Sequence, residues 1–115
     1  MFNSSSAGDP NDIEIYFVAR DDEGSLLGGV FAVKDWDWVH LQLLFVDENS
    51  RQKGIGGALL ARVEQWAGEN GCSSIFLDTF TFQAEGFYLN RGYKEFGRLN
   101  NFPQGHSRVF LKKNL

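Results

Sequence analysis

Residues Leu43–Gly71 read LLFVDENSRQKGIGGALLARVEQWAGENG. A short apolar run, a polar turn, a cluster of glycines and an amphipathic segment follow one another. In the last part Leu59, Leu60, Val63, Trp66 and Ala67 recur at helical spacing, while Arg62, Glu64 and Gln65 take the opposite face. Asn70-Gly71 is a helix stop, because both residues tolerate the left-handed backbone that ends a helix. The run leading in, WVHLQLLFV from Trp38, has the period of a strand. Its alternation places Val39, Leu41 and Leu43 on one face and His40, Gln42 and Leu44 on the other. The stretch is therefore strand, glycine loop, helix, with the helix expected to begin after the glycines.

The flanks extend this unit in both directions. IEIYFVAR from Ile13, the turn DDEG and SLLGGVFAVK read as a hairpin, in which Gly28 and Gly29 mark a bulge or a close approach of another segment. DWDW turns the chain into the Trp38 strand. Beyond the helix, SSIFLDTF is a short apolar strand suited to a sheet interior, and QAEGFYLNRG is a second, shorter helix ending near Gly92. YKEFGRL and SRVFLKK are two last strands joined by the turn-rich NNFPQGH. The order is strand, strand, strand, helix, strand, helix, strand, strand. That predicts a single-domain α/β fold with a mixed sheet, and the central strand–helix–strand unit should be a right-handed parallel crossover. The polar, small-residue start, residues 1–12, is expected to be a flexible segment, with the domain occupying residues 13–115.

A glycine loop between a strand and a helix suits an anion. The first turn of a helix has N–H groups without intrahelical partners, and its dipole favours negative charge there. Glycine lets backbone approach a phosphate, and Arg51 and Lys53 add positive charge. A P-loop would need Lys followed by Ser or Thr after the glycines, which is absent. A dinucleotide fingerprint fits at Gly54 and Gly56, but Leu59 holds its third glycine position, and Asp78 is poorly placed as its acidic partner. A pattern of Arg or Gln, two residues, then Gly-x-Gly is met by Arg51, Gln52, Lys53, Gly54, Ile55 and Gly56. The competing reading is a glycine-rich connection that holds no ligand.

Composition narrows the partners. The chain has 115 residues, a net charge of −4 and one cysteine, Cys72. The acidic balance argues against non-specific nucleic-acid binding, which depends on basic surface. One cysteine forms no internal disulfide, and no Cys/His cluster suggests a metal site. No apolar run approaches the ~20 residues that span a bilayer, and the start lacks the pattern of a signal peptide. The expectation is a cytoplasmic protein with no membrane, nucleic-acid or metal partner.

Two signatures in this order resemble the GNAT superfamily of acyl-CoA-dependent N-acyltransferases. The first is Leu43–Gly71. The second, FQAEGFYLNRGYKEFG, is similar to the family's AxxxYxxxG followed by an aromatic residue, met here by Ala84, Tyr88, Gly92 and Tyr93. The likeness extends over roughly residues 13–115. It implies a central strand that splays from its parallel neighbour, with the pantetheine arm of acetyl-CoA in the gap. Leu44, Phe45 and Val46 would offer backbone groups to that arm. The N–H groups from Gln52 through Lys53, Gly54, Ile55 and Gly56 to Gly57 would bind the pyrophosphate. Thr81 stands where relatives often carry an Asn that steadies the arm, so that contact is weakened or replaced.

Acyl transfer from a thioester to an amine requires a proton to leave the amine and another to reach the departing thiolate. The resemblance places Tyr88 as the acid. Many relatives have an acidic residue where this chain has Gln42, which takes no proton. His40 and Asp78 are the alternative bases, with a water relay from Gln42 or an already neutral amine as further possibilities. Trp36, Trp38, Phe80, Phe82 and Phe102 could form an aromatic acceptor site in which a cationic amine sits over a ring. His106, in the FPQGHS connection, is expected to serve a turn. Relatives carry a strand and helices ahead of the hairpin that are missing or shortened here, so a homodimer is expected to cover the exposed edge. The reaction expected is acetyl transfer to a primary amine of a small molecule or protein. The alternative is a non-catalytic CoA-binding or interaction module.

Overall fold

The computed structural model describes residues 12–115. The expected flexible segment falls almost entirely outside the described residues. Strands β1 (Ile13–Arg20), β2 (Leu26–Asp35) and β3 (Trp38–Val46) form an antiparallel meander. A 3-10 turn (Glu48–Lys53) leads into helix α1 (Ile55–Glu69), then strand β4 (Ser74–Phe80), the short helix α2 (Glu85–Leu89), and strands β5 (Lys94–Asn100) and β6 (Ser107–Asn114). The six strands make one mixed sheet in the order β1-β2-β3-β4-β6-β5, in which only β3–β4 is parallel. This is the element order the sequence predicts.

Helix α1 lies along β1–β4 and buries Leu59, Leu60, Val63 and Ala67. From the sheet, Val39, Leu41, Ile75, Leu77, Val109 and Leu111 complete the core. Trp66 is only partly buried against it. Glu64 departs from the helical pattern that put it in solvent. It turns inward, accepting a hydrogen bond from the Tyr93 hydroxyl at 2.8 Å and from Lys113 Nζ at 3.0 Å. A half-buried carboxylate is tolerable because both oxygens find donors.

The helix also starts earlier than expected. Gly54, at φ 73°, is its N-cap, and Gly56 and Gly57 belong to its first turn. Asp47 caps the preceding 3-10 turn by accepting from Asn49 N at 3.2 Å. The sharp change of direction at Gly54 needs the left-handed backbone that glycine adopts without steric cost.

The strand face pattern breaks at one residue. Leu41 pairs with Ala32 and Leu43 with Phe31, so Gln42 is passed over as a bulge. An extra residue in a two-residue repeat reverses the faces beyond it. Val39 and Leu41 are buried as expected, but Leu43 is exposed, while Leu44 packs against the core. His40 and Leu44 therefore do not share a face. Gly28 and Gly29 mark a close approach: a Cβ on Gly28 would lie 2.7 Å from the Phe45 carbonyl oxygen, and one on Gly29 would lie 2.8 Å from the Phe45 ring.

Candidate active site

β3 and β4 pair only through Trp38–Ser74, Val39–Ile75 and His40–Phe76. From Leu41 onward β3 bends away with β2, through the bulge at Gln42, while β4 stays with β6 as far as Phe80. The edge of β3 facing β4 has no strand partner from Leu41 to Val46 among the described residues. Two parallel strands have been prised apart, and backbone groups that would otherwise form a ladder line the opening.

A cavity of about 210 Å³ occupies the head of this gap, bordered by Leu41, Gln42, Leu44, Asp78, Thr79, Ala84 and Tyr88. A second, of about 610 Å³, continues to the glycine loop. Leu44, Phe45, Val46, Arg51, Gly54, Gly56, Gly57, Ala84 and Tyr88 border it, together with Gln83, Phe87 and Arg91. The expected site residues thus fall into two groups. Gln42, Asp78, Leu44, Phe45, Val46, Arg51, three of the glycines, Ala84 and Tyr88 converge on the cavities. Lys53, Ile55, Thr81 and His40 line neither. Gln52 lies in the 3-10 turn. Thr81 joins the end of β4 to β6, its N–H donating to Ser107 O at 2.9 Å and its Oγ1 accepting from Ser107 N at 3.0 Å.

Tyr88 lies where the two cavities meet. Helix α2 starts from the Ala84 carbonyl, which accepts from Phe87 N and Tyr88 N, and ends through Gly92 at φ 92°, with Tyr93 N bonded to the Tyr88 carbonyl. Arg98 ties α2 to the sheet through Glu85 at 3.1 Å. The Tyr88 ring stands edge-on to Phe87 and Tyr93, at 5.0 and 5.7 Å between centroids. Tyr88 is 7% exposed, and its hydroxyl has no hydrogen-bond partner among the described residues. Burial pushes its pKa up to about 12, so the phenol is neutral at physiological pH and has a proton to give.

The candidate bases are placed differently. His40 stacks on Phe76 at 4.4 Å. Burial lowers its pKa, partly offset by Asp78 and Asp35, so its imidazole is neutral at pH 7 and open to a proton. Asp78 accepts a 2.7 Å hydrogen bond from Arg108 Nε. The aromatic residues divide in two. Trp38 meets Phe76 at the paired end, and Trp36 is exposed in the β2–β3 turn. Phe80, Phe82 and Phe102 gather at the far end of β4, Phe80 stacked on Phe82 at 5.3 Å. The Arg108 guanidinium is 5.9 and 5.5 Å from the centroids of Phe80 and Phe102, and 5.4 Å from that of Phe110 on β6. His106 meets Phe82 edge-on at 4.9 Å, and its N–H and carbonyl also close the β5–β6 turn.

Among the described residues, no group of three or more His, Cys, Asp and Glu could hold a metal ion. No described helix is long and apolar enough to cross a membrane.

A splayed parallel pair, a glycine-led helix at one end of the gap and a buried phenol at its centre define an acyl-transfer fold. The chain matches the acetyltransferase (GNAT) family over residues 3–93, and it belongs to that family. It is 37% identical to the blasticidin-S acetyltransferase of Streptomyces morookaense over 105 residues, covering 90% of this chain and 77% of that protein. The crystal structure of an acetyltransferase from Bacillus cereus ATCC 14579 superposes with a TM-score of 0.87 at 40% identity, over 90% of this chain and 74% of that one. An acetyltransferase structure from Bacillus anthracis str. Ames, in complex with acetyl coenzyme A, shares the fold at a TM-score of 0.80 and 23% identity, covering 93% of this chain and 64% of that one.

Proposed function

We propose that this protein transfers the acetyl group of acetyl-CoA to a primary amine of a small molecule or protein. The observation that carries this reading is the β3–β4 gap, with the unpartnered Tyr88 hydroxyl bordering both of its cavities. The pantetheine arm would lie along the free edge of Leu44–Val46, and the pyrophosphate would meet the N–H groups of Gln52–Gly57. The amine lone pair attacks the thioester carbonyl carbon, the C–S bond breaks, and the Tyr88 hydroxyl gives its proton to the departing sulfur. The amine gives up one proton, which restores the phenol through solvent.

Gln42 takes no proton, and Asp78 is engaged by Arg108. His40 is neutral but borders neither cavity, so it would act through water. An acceptor that arrives as a neutral amine needs no such base.

Release of free thiol from acetyl-CoA in the presence of an amine panel tests this reading. The panel starts with blasticidin S, given the relative that acetylates it, and includes aminoglycosides and N-terminal peptides. Turnover on at least one amine is the expected result.

A non-catalytic CoA-binding module is the second reading, favoured by Gln42 and by the Asp78–Arg108 pair. It predicts thermal stabilisation by CoA with no turnover on any amine. We also propose a cytoplasmic location and a homodimer. The dimer is supported by the exposure of Tyr16, Val18, Leu43 and Phe45, and a monomer mass by light scattering at micromolar concentration would remove it.

A further inference from the structure

We propose that Arg91 holds the pyrophosphate of the donor, closing the glycine cradle from the α2 side; the proposal rests on the donor reading above. Arg91 follows α2 and borders the larger cavity with Arg51, Gly54, Gly56 and Gly57. Its guanidinium lies 3.8 Å from the centroid of Phe87, and Nη1 donates to the Phe87 carbonyl at 3.0 Å. That bond consumes one side of the fork. The other edge, Nε and Nη2, faces the first turn of α1: a Cβ on Gly57 would lie 3.3 Å from Nε and 3.0 Å from Nη2. This is the edge with which a guanidinium grips a phosphate through two parallel hydrogen bonds.

The electrostatics point the same way. The first turn of α1 has no acidic residue, and Gly54 supplies no side-chain cap. Arg91 has no carboxylate partner among the described residues. A guanidinium against the positive end of a helix is repelled unless an anion lies between them. Arg51 borders the same cavity, so two guanidinium groups and the free N–H groups of one helical turn surround space for a doubly charged ligand. Gly57 also gains a role. Its missing Cβ makes room for the Arg91 fork as well as for the ligand, a contact between two chain segments that no local motif records.

The test compares wild type, Arg91→Ala and Arg91→Lys by calorimetry with CoA, with dephospho-CoA (which lacks the terminal phosphate but keeps the pyrophosphate) and with pantetheine (which has neither). Arg91→Ala should weaken CoA and dephospho-CoA by the same factor, about 10- to 100-fold. It should leave pantetheine affinity and the ligand-free melting temperature unchanged, and Arg91→Lys should recover only part of the loss. In turnover, KM for acetyl-CoA should rise with kcat nearly constant. A loss seen with CoA but absent with dephospho-CoA would place Arg91 on the terminal phosphate and overturn the proposal. Unchanged affinity for all three ligands in Arg91→Ala would also overturn it, leaving the donor reading intact. Failure of wild type to bind CoA would remove both.

Discussion

The two ends of the β3–β4 pair are built from adjacent residues of the same strands, yet they do opposite things. At the paired end Val39 and Ile75 face each other in register, both fully buried, under α1. At the splayed end the strands have parted, Leu44 is only partly covered, and the space between holds the cavities. One bulge, at Gln42, stands at the transition. Stability is concentrated where the strands touch, and chemistry is possible where they do not. A parallel pair that stayed zipped to Val46 would be a better sheet and would have no site.

Truncating one side chain at each end breaks this comparison most directly. Ile75→Ala removes a core side chain with no exposure and should cost about 2–5 kcal/mol in urea denaturation. Leu44→Ala should cost less, because Leu44 is only partly buried, but should raise KM for acetyl-CoA. Equal losses of stability at the two ends would contradict the division. Next in size is Tyr93→Phe. It removes the 2.8 Å bond to Glu64 while leaving Lys113 in place, so about 1 kcal/mol of destabilisation is expected. Because Phe keeps the ring that stands edge-on to Tyr88, kcat should stay close to wild type.

Arg108→Ala tests the open side of the gap. The Asp78–Arg108 pair is about a third exposed at the arginine, so its loss should change stability by less than about 1 kcal/mol. Its effect should appear as a change in KM for the amine, with donor KM unchanged, because Asp78 borders the smaller cavity and is then freed.

A dependence on pH gives a further test. The Tyr88 pKa is raised from 10.0 to about 12 by burial, so the unfolded chain releases this proton first as pH rises. The contribution is fully present below pH 10 and is lost as pH rises through 12. Between pH 9 and 11.5, wild type should therefore lose more stability than Tyr88→Phe in parallel denaturant titrations.

What the sequence shows of this molecule follows the same division. The element order, the helix stop at Asn70-Gly71 and the buried face Leu59-Leu60-Val63-Ala67 were all legible, because periodicity and turn chemistry are local. That the glycines, Ala84 and Tyr88 belong together was legible through the resemblance of the two signatures, and all of them border the cavities. The bulge at Gln42 was not. Leu43 and Leu44 are both apolar, so the repeat has no visible slip, and only the pairing with β2 reveals the reversal of faces. Glu64 reads as solvent-facing until Tyr93 and Lys113, far along the chain, supply its donors. The place of Arg108 beside Phe80 and Phe102 was not legible, because nothing in the spacing of those residues announces it. Arg91 had one local signal, its position four residues after Phe87. Its approach to Gly57 exists only in three dimensions.

The central claim is that the buried, unpartnered phenol at the meeting point of the two cavities supplies the proton for thioester cleavage. The direct measurement is kcat for Tyr88→Phe on an amine that wild type acetylates, with CoA affinity measured alongside. Removing an unpartnered hydroxyl should leave folding and CoA binding intact, while kcat falls by about 100-fold or more. A variant that binds CoA as wild type does and keeps its full kcat would contradict the account.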